Sequence, residues 1–440
     1  MASTILSNRL FRGAIYRVRR VGHAKMKFSR TGISTTAVAA IAVVVIIVVG
    51  AGAYLAASGS KTTTTVTSTS TTTSLSTTTT VSTSVSTSTS TSTTTATTTT
   101  GAPATLTGAG STLVTPLMSS WTFAYQQYTG NVKVNYQSVG SGAGVTDLTQ
   151  KIVDFGASDA PPSSAQYSAF PAQVVVIPES ASAVVPAYNL PGITNGLKFT
   201  GAVLAGIFMG NITMWNDPAI AALNPTATLP AHAITVVHRS DASGTMFAFT
   251  NFLSDSSAAW KTKIGTATLP NWPVGLGCKG NEGVAGCIEN TQYAIGPLEI
   301  AYAIVNPSLI SYGAVANGAG NYVLANLTNV AAAVAAGASG PLPAGNGVWS
   351  SVSIINNIFN DTTHSTVYPI TTFTYVVVYQ IQASQTQGTA LVNFLWWVVN
   401  NAQSAGTSIG YVPLPSNVVS LDDATIKTIT YNGTPLLVGP

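Results

Sequence analysis

At 440 residues the chain exceeds what one hydrophobic core usually organises, and the positive sign of its formal net charge of +4 comes from its first 61 residues, Lys61 included. Residues 1–35 hold eight Lys or Arg and no acid, whereas residues 102–440 hold eight Lys or Arg against all thirteen acids, a balance of −5. A mildly acidic, charge-poor body without a basic stripe argues against nucleic acid as a partner.

Residues 1–36 read as a basic leader. From Ala37 to Ala57 run 21 residues without a charge, rich in Val, Ile and Ala, long enough to cross a bilayer as one transmembrane or signal-anchor helix. The basic cluster before it stays in the cytoplasm on this reading, so everything after Ala57 faces outward. Two other readings stay open. A cleaved secretory signal would use Ala51-Gly52-Ala53 as its cleavage site. The run Arg30-Thr31-Gly32-Ile33-Ser34-Thr35-Thr36 resembles the pilin-type signal peptides of some archaeal surface binding proteins, which are cut after the glycine, with Met26 as the start. All three place the main domain outside the cytoplasm.

Residues 58–105 form the next segment. Between Thr62 and Thr100, 34 of 39 residues are Ser or Thr, too little apolar surface to offset chain entropy, so an extended, disordered stalk is expected. Dense hydroxyls outside the cell suit O-glycosylation. N-glycosylation sequons follow at Asn211, Asn326, Asn360 and Asn432. Cys278 and Cys287 lie nine positions apart in a Gly-rich stretch. Outside the cell they read as a disulfide closing a short loop. Metal binding is the weaker alternative, because two sulfurs at this spacing lack the tight pairs and histidines of a zinc site.

The globular part begins near Leu106, and its length calls for two lobes. After Gly108-Ala109-Gly110-Ser111-Thr112, helical spacing of Leu117, Trp121, Tyr125 and Tyr128 predicts a helix ending at Gly130. Val132 to Tyr136 alternates as a strand, Ser141-Gly142-Ala143-Gly144 opens a second helix, and Ile152 to Phe155 reads as a buried strand running into Gly156-Ala157-Ser158-Asp159. This is the pattern of an open α/β sheet, which binds ligands beyond the carboxyl ends of its strands.

Three Gly/Ser/Thr clusters fall at predicted strand-to-helix turns: Gly110-Ser111-Thr112, Gly140-Ser141-Gly142 and Ser243-Gly244-Thr245. The first N–H groups of a helix have no intrahelical partner, and small residues let an anion approach them. One such cluster is an ordinary N-cap. Three, together with Arg239, favour an anion site. Arg239 is the sole arginine after Arg30, and its planar fork grips phosphate or carboxylate in bidentate fashion. Asp241, two residues on, reads as the carboxylate that orients it. Asp159 reads as a helix N-cap before Pro161-Pro162 or as a ligand contact. A carboxylate facing an anion repels it unless the ligand carries a proton to donate, as phosphate does and sulfate does not.

The chain from about Leu106 to Val419 resembles the phosphate-binding protein of phosphate ABC transporters, the PstS type. The resemblance rests on Gly108-Ala109-Gly110-Ser111-Thr112, Val134-Asn135-Tyr136-Gln137 through Gly144, Val153 through Pro161, and Trp215-Asn216-Asp217-Pro218-Ala219-Ile220. It continues in Arg239 through Thr245, Ala294 through Glu299, Tyr368-Pro369-Ile370-Thr371, and Tyr411 through Pro415. It implies an α/β, two-lobed periplasmic-binding-protein type II fold with mixed sheets, residues 106–185 and 372–440 in lobe 1 and 186–371 in lobe 2. It implies no enzyme and no cofactor or metal, but an extracellular protein that captures inorganic phosphate and delivers it to permease subunits. By motif, the phosphate contacts are Thr112, the Leu113 amide, Ser141, Asp159, Arg239, Ser243, Gly244 and Thr245, with Asp241 holding the arginine. Leu113 replaces the family's usual Phe, and Gly-Ser-Gly-Ala-Gly replaces the commoner Gly-Ser-Ser-Gly-Gly. The alternatives are a sulfate or molybdate receptor, a surface adhesin, or a phosphatase. The phosphatase reading finds only His232, His238 and His364 in the globular part and no Gly-x-Ser-x-Gly elbow. Low charge with abundant Ser, Thr, Asn and Gln also suits an acidic exterior.

Overall fold

The computed structural model describes residues 102–437 and, within the Ser/Thr-rich stretch, Thr67–Thr71 and Thr87–Thr91. The basic leader, the apolar run Ala37–Ala57 and the remaining stalk lie outside the described residues. Thr67–Thr71 and Thr87–Thr91 are strands paired antiparallel, where the sequence reads as a stalk without regular structure. β-branched threonine favours that extended backbone.

The body alternates strand and helix from its start. β1 (Ala104–Gly110) leads to α1 (Thr115–Thr129), which buries Leu117, Trp121 and Tyr125 on one face and closes on Gly130 in the left-handed region. Gly130 has φ 71°, which suits a residue without a Cβ. β2 (Val132–Ser138) and α2 (Ser141–Thr149) follow as predicted. The next strand begins later than the sequence indicates. β3 covers Phe155–Ser158, while Ile152 is 61% exposed in a turn that Lys151 enters with φ 57°. The Asp154 carboxylate holds that turn to β1 by accepting from the Thr107 amide and hydroxyl, at 2.7 and 3.0 Å.

β4 (Val174–Tyr188) organises the rest. It is buried along all of its 15 residues, with apolar runs at residues 174–177 and 183–185 flanking a polar middle of Glu179, Ser180 and Ser182 that is buried as well. Further elements are β5 (Thr235–Arg239), α3 (Gly244–Ser256), β6 (Leu276–Cys278), α4 (Gly280–Glu289), β7 (Ala294–Glu299), α5 (Ile300–Val305), β8 (Thr371–Tyr379), α6 (Gln385–Asn401) and α7 (Ser416–Ile426). The strand order is β2-β1-β3-β8-β4-β7-β5-β6. β1 is parallel to β2 and β3, β5 is parallel to β7 and β6, and β8 and β7 both run antiparallel to β4. β4 changes partner along its length. Val174 to Ala183 pair with β8, and Val184 to Tyr188 pair with β7. One strand thus carries two half-sheets, the architecture of a two-lobed mixed α/β fold.

Each half has its own aromatic packing. Tyr125, Phe155, Phe394 and Trp397 meet behind β1 and β3, and Tyr188, Phe199 and Trp215 meet behind β4 in the second half. Among the described residues no helix is long and apolar enough to cross a membrane.

Candidate functional site

Four helix starts meet where β1, β2, β5 and β6 end. α1 follows Ser111 to Val114, α2 opens at Ser141, α3 opens after its N-cap Ser243, and α4 opens at Gly280. Such ends present amides that the helices leave unpaired and the positive ends of peptide dipoles. The two half-sheets contribute two each.

Arg239 ends β5 and is 1% exposed. Burying a guanidinium is unfavourable unless its five N–H groups are met. Its Nε donates to Asp241 Oδ1 at 2.7 Å and its Nη2 to Asp241 Oδ2 at 2.5 Å, a bidentate pair. Asp241 is therefore an orienting carboxylate, and it also accepts from the Gly280 amide at 3.1 Å, which ties the arginine to the start of α4. Burial raises the Asp241 carboxyl, and the Arg239 hydrogen bonds and charge outweigh it, so its net direction is down. Arg239 Nη1 points away from Asp241 and donates to Thr112 Oγ1 at 2.9 Å and Ser243 Oγ at 2.7 Å.

The acceptor side is Asp159, just past β3 and 1% exposed. Ser111 Oγ donates to its Oδ1, and Thr245 Oγ1 lies 3.5 Å from its Oδ2. Burial raises the Asp159 carboxyl to about 6, against the opposing effects of the Ser111 hydroxyl and the Arg239 charge. The N-cap role open to Asp159 belongs instead to Ser163, which closes a capping box with Gln166 on helix Ser164–Ala169. Ser141 Oγ accepts from the Gly244 amide at 3.0 Å and from the Asp159 amide at 3.4 Å, so it bridges the two halves. Gly244 has no alternative at that contact. A Cβ there would lie 2.6 Å from the Asp159 backbone. The Leu113 amide donates to Ser111 Oγ at 3.0 Å.

All the sequence-predicted residues thus fall in one cluster: Thr112, Leu113, Ser141, Asp159, Arg239, Ser243, Gly244 and Thr245 around one arginine fork, with Asp241 beneath it. Cys278 and Cys287 are bonded, with an S–S distance of 2.02 Å, joining the end of β6 to the last turn of α4.

A family model described as a PBP superfamily domain matches residues 62–402. The phosphate-binding protein PstS of Xylella fastidiosa is 39% identical over 320 residues, covering 72% of this chain and 84% of that protein. PstS of Methanocaldococcus jannaschii is 34% identical over 329 residues, covering 71% and 83%. The chain belongs to the PstS family of phosphate-binding proteins. The fold agrees. The crystal structure of a candidate phosphate ABC transporter substrate-binding protein with bound phosphate, from Clostridium perfringens, superposes with a TM-score of 0.51 at 15% identity, covering 71% of this chain and all of that one.

Several residues of the cluster escape a reading of PstS-like motifs. Asn281 is fully buried, and its backbone N–H and Nδ2 both reach Thr112 Oγ1 at 3.0 Å, while Nδ2 also reaches Thr245 Oγ1 at 3.0 Å. Its only signal in the sequence is its place between the two cysteines. Ser111 touches Asp159 more directly than Thr112 does. Three tyrosines grip successive carbonyls of the β1–α1 turn: Tyr136 donates to Ser111 O at 2.7 Å, Tyr302 to Thr112 O at 2.7 Å, and Tyr411 to Leu113 O at 2.5 Å. Their separation in sequence hides this. Glu179 and Glu299 are buried nearby, and burial raises both to about 8.

Proposed function

We propose that the site binds one inorganic phosphate between the two half-sheets, and that the closed receptor hands it to the permease subunits of an ABC transporter. The observation that carries this reading is the composition of the cluster. A buried arginine fork, four helix starts and at least three hydroxyls supply donors, Asp241 is taken up in orienting the fork, and the buried Asp159 carboxylate stands opposite as a charged acceptor. Thr112, the Leu113 amide, Ser141, Arg239, Ser243, Gly244 and Thr245 hold the oxygens. Asp159 accepts the proton that phosphate retains and sulfate lacks. Thr112 Oγ1 already meets three N–H donors within 3.0 Å, one more than a hydroxyl oxygen has lone pairs for, so the cluster holds donor capacity that an anion's oxygens can take up.

The proposal places residues 106–185 and 372–440 in lobe 1 and residues 186–371 in lobe 2, hinged along β4, where the partner changes between Ala183 and Val184. It assigns no catalysis. His232 stacks on Tyr293, His238 stacks on Trp272, and His364 pairs with Asp361, so each globular histidine has a packing or pairing role.

The apolar run Ala37–Ala57 anchors the protein in the cytoplasmic membrane with the main domain outside, on a stalk of residues 58–105. Asn211, Asn326, Asn360 and Asn432 are all exposed and available to glycans. Retention of the full chain in the membrane pellet after alkaline extraction checks the anchor; release into the supernatant removes it. The receptor function is checked by calorimetric titration of residues 102–440 with phosphate and with sulfate. Phosphate binding with sulfate silent at neutral pH is expected, and equal response to both anions would assign a general oxyanion receptor.

A further inference from the structure

We propose that Asn281 and Tyr302 form a latch that acts on Thr112 in the closed receptor and sets how fast phosphate leaves. The proposal rests on the phosphate-receptor reading and adds to it a set of bonds that need not touch the anion. Thr112 follows β1. Asn281 and Tyr302 sit on α4 and α5, beside β7 in the other half of the sheet. Every contact between them therefore crosses from one half to the other.

The chemistry separates these contacts from the anion's own. Tyr302 donates its hydroxyl proton to Thr112 O at 2.7 Å, a backbone carbonyl that offers an anion nothing. Asn281 donates its amide and its carboxamide to Thr112 Oγ1, each at 3.0 Å. Those two donors occupy both lone pairs of the hydroxyl. They leave the Thr112 proton to point at a ligand oxygen and relieve Arg239 Nη1 of its contact with Thr112, so that it can do the same. The Asn281 carboxamide is held in the required orientation, because its Oδ1 accepts the Glu299 amide at 3.2 Å. Without that acceptor contact the oxygen and nitrogen of the carboxamide could exchange places. Opening the two halves must break the three bonds that Asn281 and Tyr302 make to Thr112, so they oppose release while contributing little to encounter.

The test is stopped-flow binding of inorganic phosphate to the full chain in detergent, followed by intrinsic tryptophan fluorescence. Asn281→Ala is expected to raise the off-rate about tenfold and Tyr302→Phe about threefold, with on-rates within about twofold of wild type. Residues with a merely structural role would lower the melting temperature and leave the off-rate alone. Tyr302→Phe removes one oxygen and decides the matter if Asn281→Ala does not fold. An unchanged off-rate in Tyr302→Phe, or an effect confined to the on-rate, overturns the latch. A wild-type chain that gives no phosphate signal overturns the receptor reading beneath it, which is a different result.

Discussion

Arg239 and Asp159 are both buried, and each is tolerable only because its neighbours answer its chemistry. Charge-assisted hydrogen bonds contribute about 1.5–3 kcal/mol each, so losing two at Arg239→Ala should weaken phosphate binding by about 100-fold or more. Calorimetry reads this directly, and an affinity equal to wild type would remove Arg239 from the site. Asp159 makes a prediction with a pH sign. Held at about 6 by burial, it is a carboxylate at neutral pH and a proton donor in acid. A carboxyl that donates no longer rejects sulfate. The preference for phosphate over sulfate should therefore fall as pH drops through about 6, and Asp159→Asn should show that relaxed preference at neutral pH. Competition titrations from pH 8 to 4 check both, and a flat preference would show that another group discriminates. At this scale the chain order was informative: Arg239 stood out by rarity and Asp159 by its place after a strand. Asn281 did not, because nothing local distinguishes an asparagine that reaches a hydroxyl 169 positions away.

The helix starts are made by short local devices, and these were legible. Ser243 caps α3 by accepting from the Met246 amide, and Gly130 ends α1, each from residues adjacent in sequence. β3 begins three residues after the apolar pattern indicates, because the Ile152-Val153 pair looks buried in sequence while the turn at Lys151 turns the isoleucine outward. β6 and α4 are tied by the Cys278–Cys287 bond, which closes the segment carrying Gly280 and Asn281. Closing a loop of this size is worth roughly 2–3 kcal/mol. The double change Cys278→Ser with Cys287→Ser should lower the melting temperature by several degrees. It should also weaken phosphate binding, because the Gly280 and Asn281 amides that brace Asp241 and Thr112 lose their tether. Thermal melts and titration measure the two effects separately. Lost stability with full affinity would show that α4 holds those amides without the bond.

Across the whole molecule, charge is scarce and its placement is unusual. Among the described residues there are two ion pairs, Arg239–Asp241 and Asp361–His364. Burial raises Asp159 to about 6 and Glu179 and Glu299 to about 8, and it raises Asp422, whose two oxygens have no hydrogen-bond partner in the protein, well above the usual range. A carboxyl whose folded value is raised keeps its proton where the unfolded chain has lost it. Its contribution to stability is complete below the ordinary value near ~4 and disappears as pH rises through about 6 to 8. Asp241 and Asp361 act in the opposite sense, losing their contribution only as pH falls through their lowered values, about 2 for Asp361. Four buried groups therefore favour acid, and few ion pairs are available to lose. Circular-dichroism melts should peak in melting temperature near ~pH 4 and decline toward pH 8. A maximum near neutrality with early failure in acid would refute this and with it the acidic-exterior reading of the composition.

Periodicity, caps and composition determined the class of this protein, because they depend on neighbours within a turn or a strand. An α/β body, a set of helix starts suited to an anion, one arginine with its carboxylate, and a disulfide all follow from residues close together in the chain. What only the tertiary structure decided is how distant segments complete one another. β4 exchanges β8 for β7 between Ala183 and Val184. Tyr136, Tyr302 and Tyr411, from three separate segments, brace a single turn, and Asn281 spans the two halves at Thr112. These contacts depend on the packed sheet, which sets directions and distances that no local pattern encodes.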